Sequence, residues 1–276
     1  MTADPLAQFE RLLAQRPLPL LALAAEVPRY ADPALDPATV VSTVDRWGEQ
    51  LNARLAPDTA AAMRWRQLNH FFFDELGFGP NADRYYDPAN SHLHAVIERR
   101  RGIPITLALL YIEIGRRAGL KLQGVGFPGH FLVRLALGDG QMFLDMFAEG
   151  APLSEDDLAA RLHAATRGAP DAPIELYLRP ASDRDILARL LRNLKLVHLQ
   201  AGNMDIALQV QHRLVAVLPD NAAERRARAA MYEKLECPRA AADDLAAYMD
   251  LAPDAPDLRH ARDDLQRLRA CAARLN

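Results

Sequence analysis

The first part of the chain repeats its apolar residues at helical spacing. Two segments within residues 5–78 each carry an apolar stripe: Leu6, Phe9, Leu12 and Leu13 in the first, and Val40, Val41, Val44, Trp47 and Leu51 in the second. Such stripes are typical of amphipathic helices that turn one face to a core. A third segment, "WRQLNHFFFDELGF", ends at Gly77 or Gly79, and a loop rich in Asn, Asp and Pro follows it.

The pattern changes between residues 92 and 150. A helix from about His92 to Arg100 is predicted to stop at Gly102, and a second is predicted from Pro104 to about Ala118. Proline is acceptable in the first turn of a helix, and Gly119 supplies the usual C-terminal cap. Apolar residues surround the second helix almost completely, so we expect it to be buried on nearly every side.

Three short segments with strand composition follow: "LQGVGF", "HFLVRLAL" and "QMFLDMF". Gly138-Asp139-Gly140 separates the last two and indicates a hairpin. A two-residue turn at either pair of these positions places Asp145 and His130 on the same face of the sheet. The turn through 138–139 brings them into diagonal contact, with Cα atoms roughly 7 Å apart.

From about residue 182 the chain is again helical, and it repeats. "Leu218-Pro219-Asp220" recurs as "Ala252-Pro253-Asp254" at an offset of 34 residues. A 34-residue helix-turn-helix period resembles tetratricopeptide repeats, of which at least three are usually needed for stability. We therefore expect residues 256–274 to cap two repeats and the first repeat to dock on the preceding domain.

Composition and charge narrow the classes of function. Half of the 276 residues are hydrophobic and 25% are charged, as in a globular protein, and the net charge of −3 argues against nucleic-acid binding. Two widely spaced cysteines predict a reducing compartment rather than a disulfide framework. No signal peptide is evident and the apolar runs are too short to span a bilayer, so we expect a cytoplasmic protein without membrane contact.

One constellation resembles an enzyme family. "GIPITLA" at residues 102–108, a buried helix, "VGFPGHFLVRL" and "FLDMF" resemble the core of the transglutaminase-like superfamily. That resemblance assigns His130 and Asp145 to the family's catalytic His and Asp, and it puts the catalytic cysteine position on Pro104. Proline offers neither a nucleophile nor an N–H for an oxyanion hole, so the standard chemistry should be absent.

A closer resemblance extends over most of the chain, from roughly residue 20 to the C-terminus. Residues 79–135 together with the repeats resemble the SirB-one family of bacterial proteins, whose transglutaminase-like domain also occurs in an animal F-box protein. The family's characteristic residues are matched by Tyr85, Tyr86, Asp87, Pro88, Asn90, Ser91, Leu93 and Arg100 to Pro104. The resemblance implies that members lack the catalytic cysteine and have no settled activity, and the family's name reflects an association with gene-expression regulation.

These observations predict an α+β fold: a mainly helical, transglutaminase-like (papain-like) core with a small antiparallel sheet, followed by an α-helical tetratricopeptide-like repeat region. The expected domains are residues 1–178 and 182–276. We expect no metal and no cofactor, because no pair of residues has metal-ligand spacing such as His-Glu-x-x-His. Glu98, His130 and Asp145 are the only metal or acid–base set that the pattern suggests.

No residue is a firm catalytic candidate, and His130 and Asp145 are vestigial ones. The residues expected to line a binding cleft are Tyr85, Tyr86, Asn90, Glu98, Arg101, Pro104, His130 and Asp145. Two alternatives stay open. The loop residues Tyr85, Tyr86 and Asp87, with Arg99 to Arg101, attach the loop to the core rather than bind a ligand, or the His–Asp pair is purely structural. Thr106 is a poor substitute nucleophile, because it points roughly 200° away from Pro104 around the helix. Ser91 is more simply an N-cap of the following helix, with Asn90 as the other candidate.

The leading functional hypothesis is a non-catalytic protein that binds a protein or peptide partner through the degenerate cleft and the concave repeat surface. The alternative is a hydrolase or acyltransferase that uses His130 and Asp145 with a water or an unrecognised nucleophile. A third hypothesis is a transcription-linked regulator that acts through protein partners. A cleft closed by Phe127, Phe131 or Tyr86 would argue against catalysis, whereas backbone N–H groups converging near His130 would favour it.

Overall fold

The computed structural model describes residues 4–138 and 140–274, and within these ranges it contains thirteen α-helices and six short strands. The helices are α1 Pro5–Leu13, α2 Leu20–Glu26, α3 Ala38–Asn52, α4 Ala61–Asn69, α5 Leu93–Arg99, α6 Pro104–Arg117, α7 Glu155–Ala165, α8 Ile174–Tyr177, α9 Asp183–Gln200, α10 Met204–Val217, α11 Ala222–Lys234, α12 Pro238–Leu251 and α13 Leu258–Arg274. The strands are β1 Gly79–Pro80, β2 Arg101–Gly102, β3 Leu122–Val125, β4 Leu132–Leu137, β5 Gly140–Asp145 and β6 Ala151–Leu153.

Helix α6 lies at the centre of the fold, as its all-round apolar sequence predicts. Eleven of its residues are buried, and α3, α4, α5 and the sheet pack around it. Gly115 lets α6 approach the side chains of Leu68 and Leu122 closely, because a Cβ there would meet both. The helix ends near Gly119, whose φ of +80° favours glycine.

The four strands β3, β4, β5 and β6 form one antiparallel sheet in that order. Leu137 pairs with Gly140, so the β4–β5 turn spans positions 138 and 139, of which Asp139 lies outside the described residues. The register pairs Val133 with Leu144 and thereby sets Asp145 on the same face as His130. The edge strand β6 is an addition to the sequence prediction, since a three-residue strand that contains a proline gives no periodic signal.

The expected N-cap of α5 is wrong. His92 occupies that position without a side-chain hydrogen bond to the helix, and Ser91 instead ends a 3₁₀ turn at Pro88–Ser91. Asp87 caps this turn by accepting a hydrogen bond from the Ala89 N–H at 2.9 Å. The Asn90 amide is committed to the preceding loop, so neither candidate residue caps α5.

The repeat region has the predicted period, because α12 begins and ends 34 residues after α10. Buried residues of α9 and α10 belong to the main core together with those of α1, α2 and α6. Helices α11 to α13 form a second, smaller core among themselves. The first repeat is therefore packed into the transglutaminase-like part of the chain.

We expect Gly115→Ala to lower the free energy of unfolding by about 1–3 kcal/mol through overpacking. The new Cβ would lie 2.6 Å from a methyl carbon of Leu68, which is 0% exposed, so neighbouring residues must shift. This cost outweighs the gain in helix propensity of about 1 kcal/mol. Urea unfolding measures the change.

Gly126→Ala is the matched control, because a Cβ there meets only Arg189, at an ordinary 3.6 Å. Its free energy of unfolding should stay within about 0.5 kcal/mol of the wild type. Equal effects of the two substitutions would contradict the close approach of α6.

Candidate functional site

His130 and Asp145 form a hydrogen-bonded pair. The His130 Nε2 lies 2.7 Å from the Asp145 Oδ1, which also accepts a hydrogen bond from the Phe147 N–H at 2.8 Å. A carboxylate on Nε2 favours the tautomer that carries its proton there and leaves Nδ1 as an acceptor. The Asp145 side chain is 3% exposed and that of His130 is 18% exposed. The predicted face and contact of the pair are thus present.

Arg161 is a third member of this cluster that the sequence analysis missed. Its Nη2 lies 2.8 Å from the Asp145 Oδ2. Burial raises the pKa of Asp145, but the His130 hydrogen bond and charge, the Phe147 N–H and the Arg161 charge together bring that pKa below its usual value. Asp145 is therefore held as a carboxylate with both oxygens occupied.

Helix α9 closes the site from the repeat side through Arg189. Its guanidinium donates to the carbonyl oxygens of Phe127, at 2.9 Å, and His130, at 2.6 Å. It also lies over the Phe131 ring, 5.7 Å from the centroid. The two phenylalanines offered above as possible closing groups are buried in hydrophobic cores, and Arg189 fixes the backbone between them.

The start of α6 offers no replacement nucleophile. Pro104 is buried at the first helical position. The Thr106 hydroxyl is 0% exposed, accepts a hydrogen bond from the Ile103 N–H at 3.1 Å and donates to the Asn90 carbonyl at 2.9 Å. These bonds cap the helix and tie it to the 3₁₀ turn, so this hydroxyl is structural.

Asn90 organises the loop that carries the two tyrosines. Its amide donates to the carbonyls of Arg84, at 2.6 Å, and Tyr85, at 3.1 Å, and its Oδ1 accepts from Asn81 at 2.7 Å. Because Asn90 is 1% exposed, it shapes the loop from beneath. The side chains of Tyr85 and Tyr86 project outward and are 39% and 61% exposed.

A cavity of about 220 Å³ lies between this loop, the start of α6 and α9. We call it the cleft, and it is lined by Tyr85, Tyr86, Ser91, Ile103, Asn193, Leu196 and Val197. The Tyr85 ring packs 6.0 Å from that of Phe147, which in turn lies 6.4 Å from the His130 ring. Ile103, the neighbour of Pro104, thus lines the cleft, and the rings of Tyr85 and Phe147 separate the cleft from His130.

Four polar side chains of the cleft lining have no hydrogen-bond partner within the described residues. Within residues 4–138 and 140–274, the side chains of Tyr85, Tyr86, Ser91 and Asn193 make no hydrogen bond. Leu196 is 50% exposed beside them. No residue of this lining carries a formal charge, so the cleft combines neutral donors and acceptors with aromatic and aliphatic surface.

Of the eight predicted binding residues, Tyr85 and Tyr86 belong to the cleft lining, whereas six lie outside it: Asn90, Glu98, Arg101, Pro104, His130 and Asp145. Glu98 is exposed on α5 and faces His94. Arg101 is exposed, and its Nη1 donates to the Gly77 carbonyl at 2.8 Å. The neighbouring arginines also contact their own chain: Arg99 pairs with Asp87 at 3.0 Å, and Arg100 lies over Trp47.

Metal-binding clusters and membrane-spanning helices are both absent from residues 4–138 and 140–274. Neither range contains a group of three or more His, Cys, Asp or Glu side chains arranged to hold a metal ion. Among the helices of the same ranges, none has the length and hydrophobicity needed to cross a membrane.

Comparison with known proteins agrees with the geometry. Residues 38–192 match the transglutaminase-like superfamily, and residues 194–275 match the tetratricopeptide repeat. A UPF0162 protein of Xylella fastidiosa is 37% identical over 238 residues, which are 86% of this chain and 85% of that protein. Protein SirB1 of Salmonella typhimurium is 28% identical over 193 residues, or 69% and 70% of the two chains.

The human F-box only protein 21 shares a shorter segment, 42% identical over 80 residues, which is 29% of this chain and 13% of that protein. The same family is indicated by the fold, by the paired His130 and Asp145 and by the relatives that match most of the chain. The chain belongs to the transglutaminase-like superfamily, within the SirB-like UPF0162 family, and carries a tetratricopeptide region at its C-terminal end.

Proposed function

We propose that this protein is a non-catalytic binding protein whose cleft holds an extended segment of a protein partner. The observation that carries this proposal is the set of uncommitted polar side chains around an apolar cavity. A buried or half-buried polar group without a partner is usually satisfied by water or by a ligand. In the lining of this cavity of about 220 Å³, Ser91 is buried and Asn193 is half-buried, and the exposed side chains of Tyr85 and Tyr86 lie beside them.

The chemistry of the lining favours a peptide over a charged metabolite. Ser91, Asn193 and the two tyrosine hydroxyls are neutral and can pair with the N–H and C=O groups of an extended backbone. Leu196 and the tyrosine rings offer a surface for one apolar anchor side chain, the usual source of affinity at such interfaces. An anionic ligand would find no cation in the lining itself.

Helix α9 supports a joint role for the two regions. It contributes Asn193, Leu196 and Val197 to the cleft and is also the first helix of the repeat region. The two family matches meet within it, at residues 192 and 194. We keep the proposed boundary at residues 178–182, which assigns α9 to the repeats and makes the cleft an interdomain site.

We further propose that the protein acts in the cytoplasm as a regulator through its partners. Tetratricopeptide repeats suggest protein–protein interaction. Cys237 and Cys271 are both free and exposed, which fits a reducing compartment.

The binding proposal is tested by selecting peptides from a random display library on the wild-type protein. We expect Leu196→Glu to weaken the selected peptides by tenfold or more, because it removes roughly 1.5–3 kcal/mol of apolar burial. Fluorescence polarisation with labelled peptides gives the dissociation constants.

Leu176→Glu is the control for this experiment. Leu176 is 44% exposed on α8 and lies outside the cleft lining, so its variant should bind like the wild type. Peptides that lose affinity equally in both variants would place binding elsewhere and sink the cleft proposal.

A second candidate function is hydrolysis by water activated at His130. The observation that favours it is the retained orientation: Asp145 holds Nε2 at 2.7 Å, and no residue of the described ranges hydrogen bonds to Nδ1. A free Nδ1 acceptor has the chemistry of a general base. Pro104 nevertheless removes both the nucleophile and the backbone N–H that the family's mechanism needs.

Hydrolysis of p-nitrophenyl acetate separates the two candidates. As a non-catalytic protein, the wild type should show the same rate as His130→Gln after subtraction of the buffer reaction. His70→Gln, at an exposed histidine, controls for surface imidazole reactivity. A rate that falls only in the His130 variant would favour the enzyme.

We expect Asp145→Asn to destabilise the protein by about 1–3 kcal/mol at pH 7, because charged hydrogen bonds from His130 and Arg161 are lost. The pKa of Asp145 is lowered in the folded protein, so this contribution is full above the ordinary value of 3.8. It declines as the pH falls through the lower folded value. Urea unfolding between pH 7 and pH 3 measures the difference.

Asp74→Asn is the matched control, since Asp74 pairs with His70 at 2.9 Å while both side chains are at least 60% exposed. Its effect should stay below about 1 kcal/mol at every pH. If Asp145→Asn behaved the same way, the buried pair would have no structural role.

A further inference from the structure

The Tyr30 hydroxyl lies between two histidines that come from distant parts of the chain. It is 3.1 Å from the His92 Nε2 and 2.7 Å from the His198 Nε2. The Tyr30 ring packs edge-on against both imidazoles, with centroids 5.7 Å apart in each case. Neither the His–Asp site nor the cleft lining includes any of these three residues.

Each of the two histidines directly follows a residue that lines the cleft, and these two lining residues belong to opposite walls. His92 follows Ser91, which lines the wall formed by the 3₁₀ turn, and His198 follows Val197, which lines the wall formed by α9. One hydroxyl group therefore bridges the side chains of two residues that each follow a residue of the cleft lining. Tyr30 itself belongs to the N-terminal helical part, so it acts on the cleft from outside.

The surroundings of the two histidines determine which group donates in each hydrogen bond. The His198 Nδ1 is buried and has no partner among the described residues. A buried N–H without an acceptor is more costly than an unpaired acceptor, so His198 carries its proton on Nε2 and donates it to the Tyr30 oxygen. The Tyr30 hydroxyl then donates to the His92 Nε2. In this relay, from His198 through Tyr30 to His92, each contact has one proton, and the Tyr30–His92 contact is kept only while the His92 Nε2 is unprotonated.

We propose that Tyr30 is the positioning residue of the cleft, and that its two hydrogen bonds hold α9 against the 3₁₀ turn at the width the ligand requires. This inference rests on the proposed function only for the identity of the ligand. The closure of the cleft itself can be measured without any ligand.

The relay makes closure of the cleft sensitive to pH. Charged or titratable groups face it from each neighbouring element: His94 and Arg99 on α5, Asp87 on the 3₁₀ turn, and Asp205 and Arg213 on α10. Burial, followed by His94 and His198, lowers the pKa of His92 to about 3, and burial also lowers the pKa of His198. Burial raises the pKa of Tyr30 to about 12, so its hydroxyl stays protonated.

The direction of the pH effect follows from these shifts. A histidine whose pKa is lowered in the closed state takes up a proton more readily once the contact opens. Closure is therefore complete above the ordinary value of 6.5 and weakens as the pH falls from there towards 3.

Spin labels on the two walls test the proposal. Asp83→Cys in the tyrosine loop and Gln200→Cys at the end of α9 are both exposed sites, and Cys237 and Cys271 are replaced by serine. Pulsed electron paramagnetic resonance then gives the distance between the walls at pH 7.5 and pH 5. We expect a narrow distribution for the relay-intact protein at pH 7.5 and a longer, broader one at pH 5.

Three sets of substitutions isolate the relay. Tyr30→Phe should give the broad distribution at both pH values. The double variant His92→Gln/His198→Gln should keep the narrow one at both, because each glutamine supplies the needed acceptor or donor near the Nε2 position and cannot be protonated. Tyr232→Phe is the control, since it removes another tyrosine–histidine contact, at 2.9 Å from His212.

The outcomes are distinct from those of the peptide test. A narrow distribution in Tyr30→Phe at pH 7.5, or a broadening of the glutamine variant equal to the wild type at pH 5, would overturn the relay even if peptides bind. If Tyr30→Phe does not fold, His198→Leu, compared with His198→Gln, breaks the Tyr30–His198 contact instead. Closure that responds as expected supports the relay even if no peptide is found.

Discussion

Burial of α6 is the constraint on which the rest of the structure depends. A helix that is apolar on every side must be enclosed, and here three helices, the sheet and α9 enclose it. The two ends of α6 then fix the positions of the neighbouring segments. The N-terminal end sets the position of the 3₁₀ turn through Thr106 and Asn90, and the C-terminal end leads into β3. The cleft is the space left where this enclosure meets the repeat region.

The same constraint explains how the fold accommodates Pro104 at the first position of α6. The first residue of a helix has no intrahelical acceptor for its N–H, so a proline there loses no hydrogen bond. The backbone of α6 therefore keeps its course, and the His130–Asp145 pair keeps its geometry because β4, β5 and Phe147 position it independently. Pro104 is thus compatible with the architecture around the His130–Asp145 pair.

Much of the fold could be predicted because it is encoded by neighbours in sequence. The all-round apolar pattern of α6, the 34-residue period and the parity of the 138–139 turn are local properties, and each appears in the structure as predicted. The wrong N-cap arose because Asn90 serves the preceding loop, a choice that depends on tertiary packing. Arg161 and Arg189 contact the His–Asp site from separate elements, and Tyr30 contacts the two histidines next to the cleft lining. No spacing rule marks one arginine or tyrosine among many.

The position of α9 makes the two parts of the protein interdependent. Its Arg189 holds the backbone of His130, its Leu196 lines the cleft, and its Lys195 pairs at 3.2 Å with Glu224 on α11. A ligand that contacts α9 in the cleft must therefore act on the same rigid element that begins the repeats. Because a packed helix moves as a unit, a shift that widens the cleft also moves the contacts of the first repeat with α11. Under the proposed function, binding at the cleft and binding at the repeats would be coupled to the extent that both prefer the same position of α9.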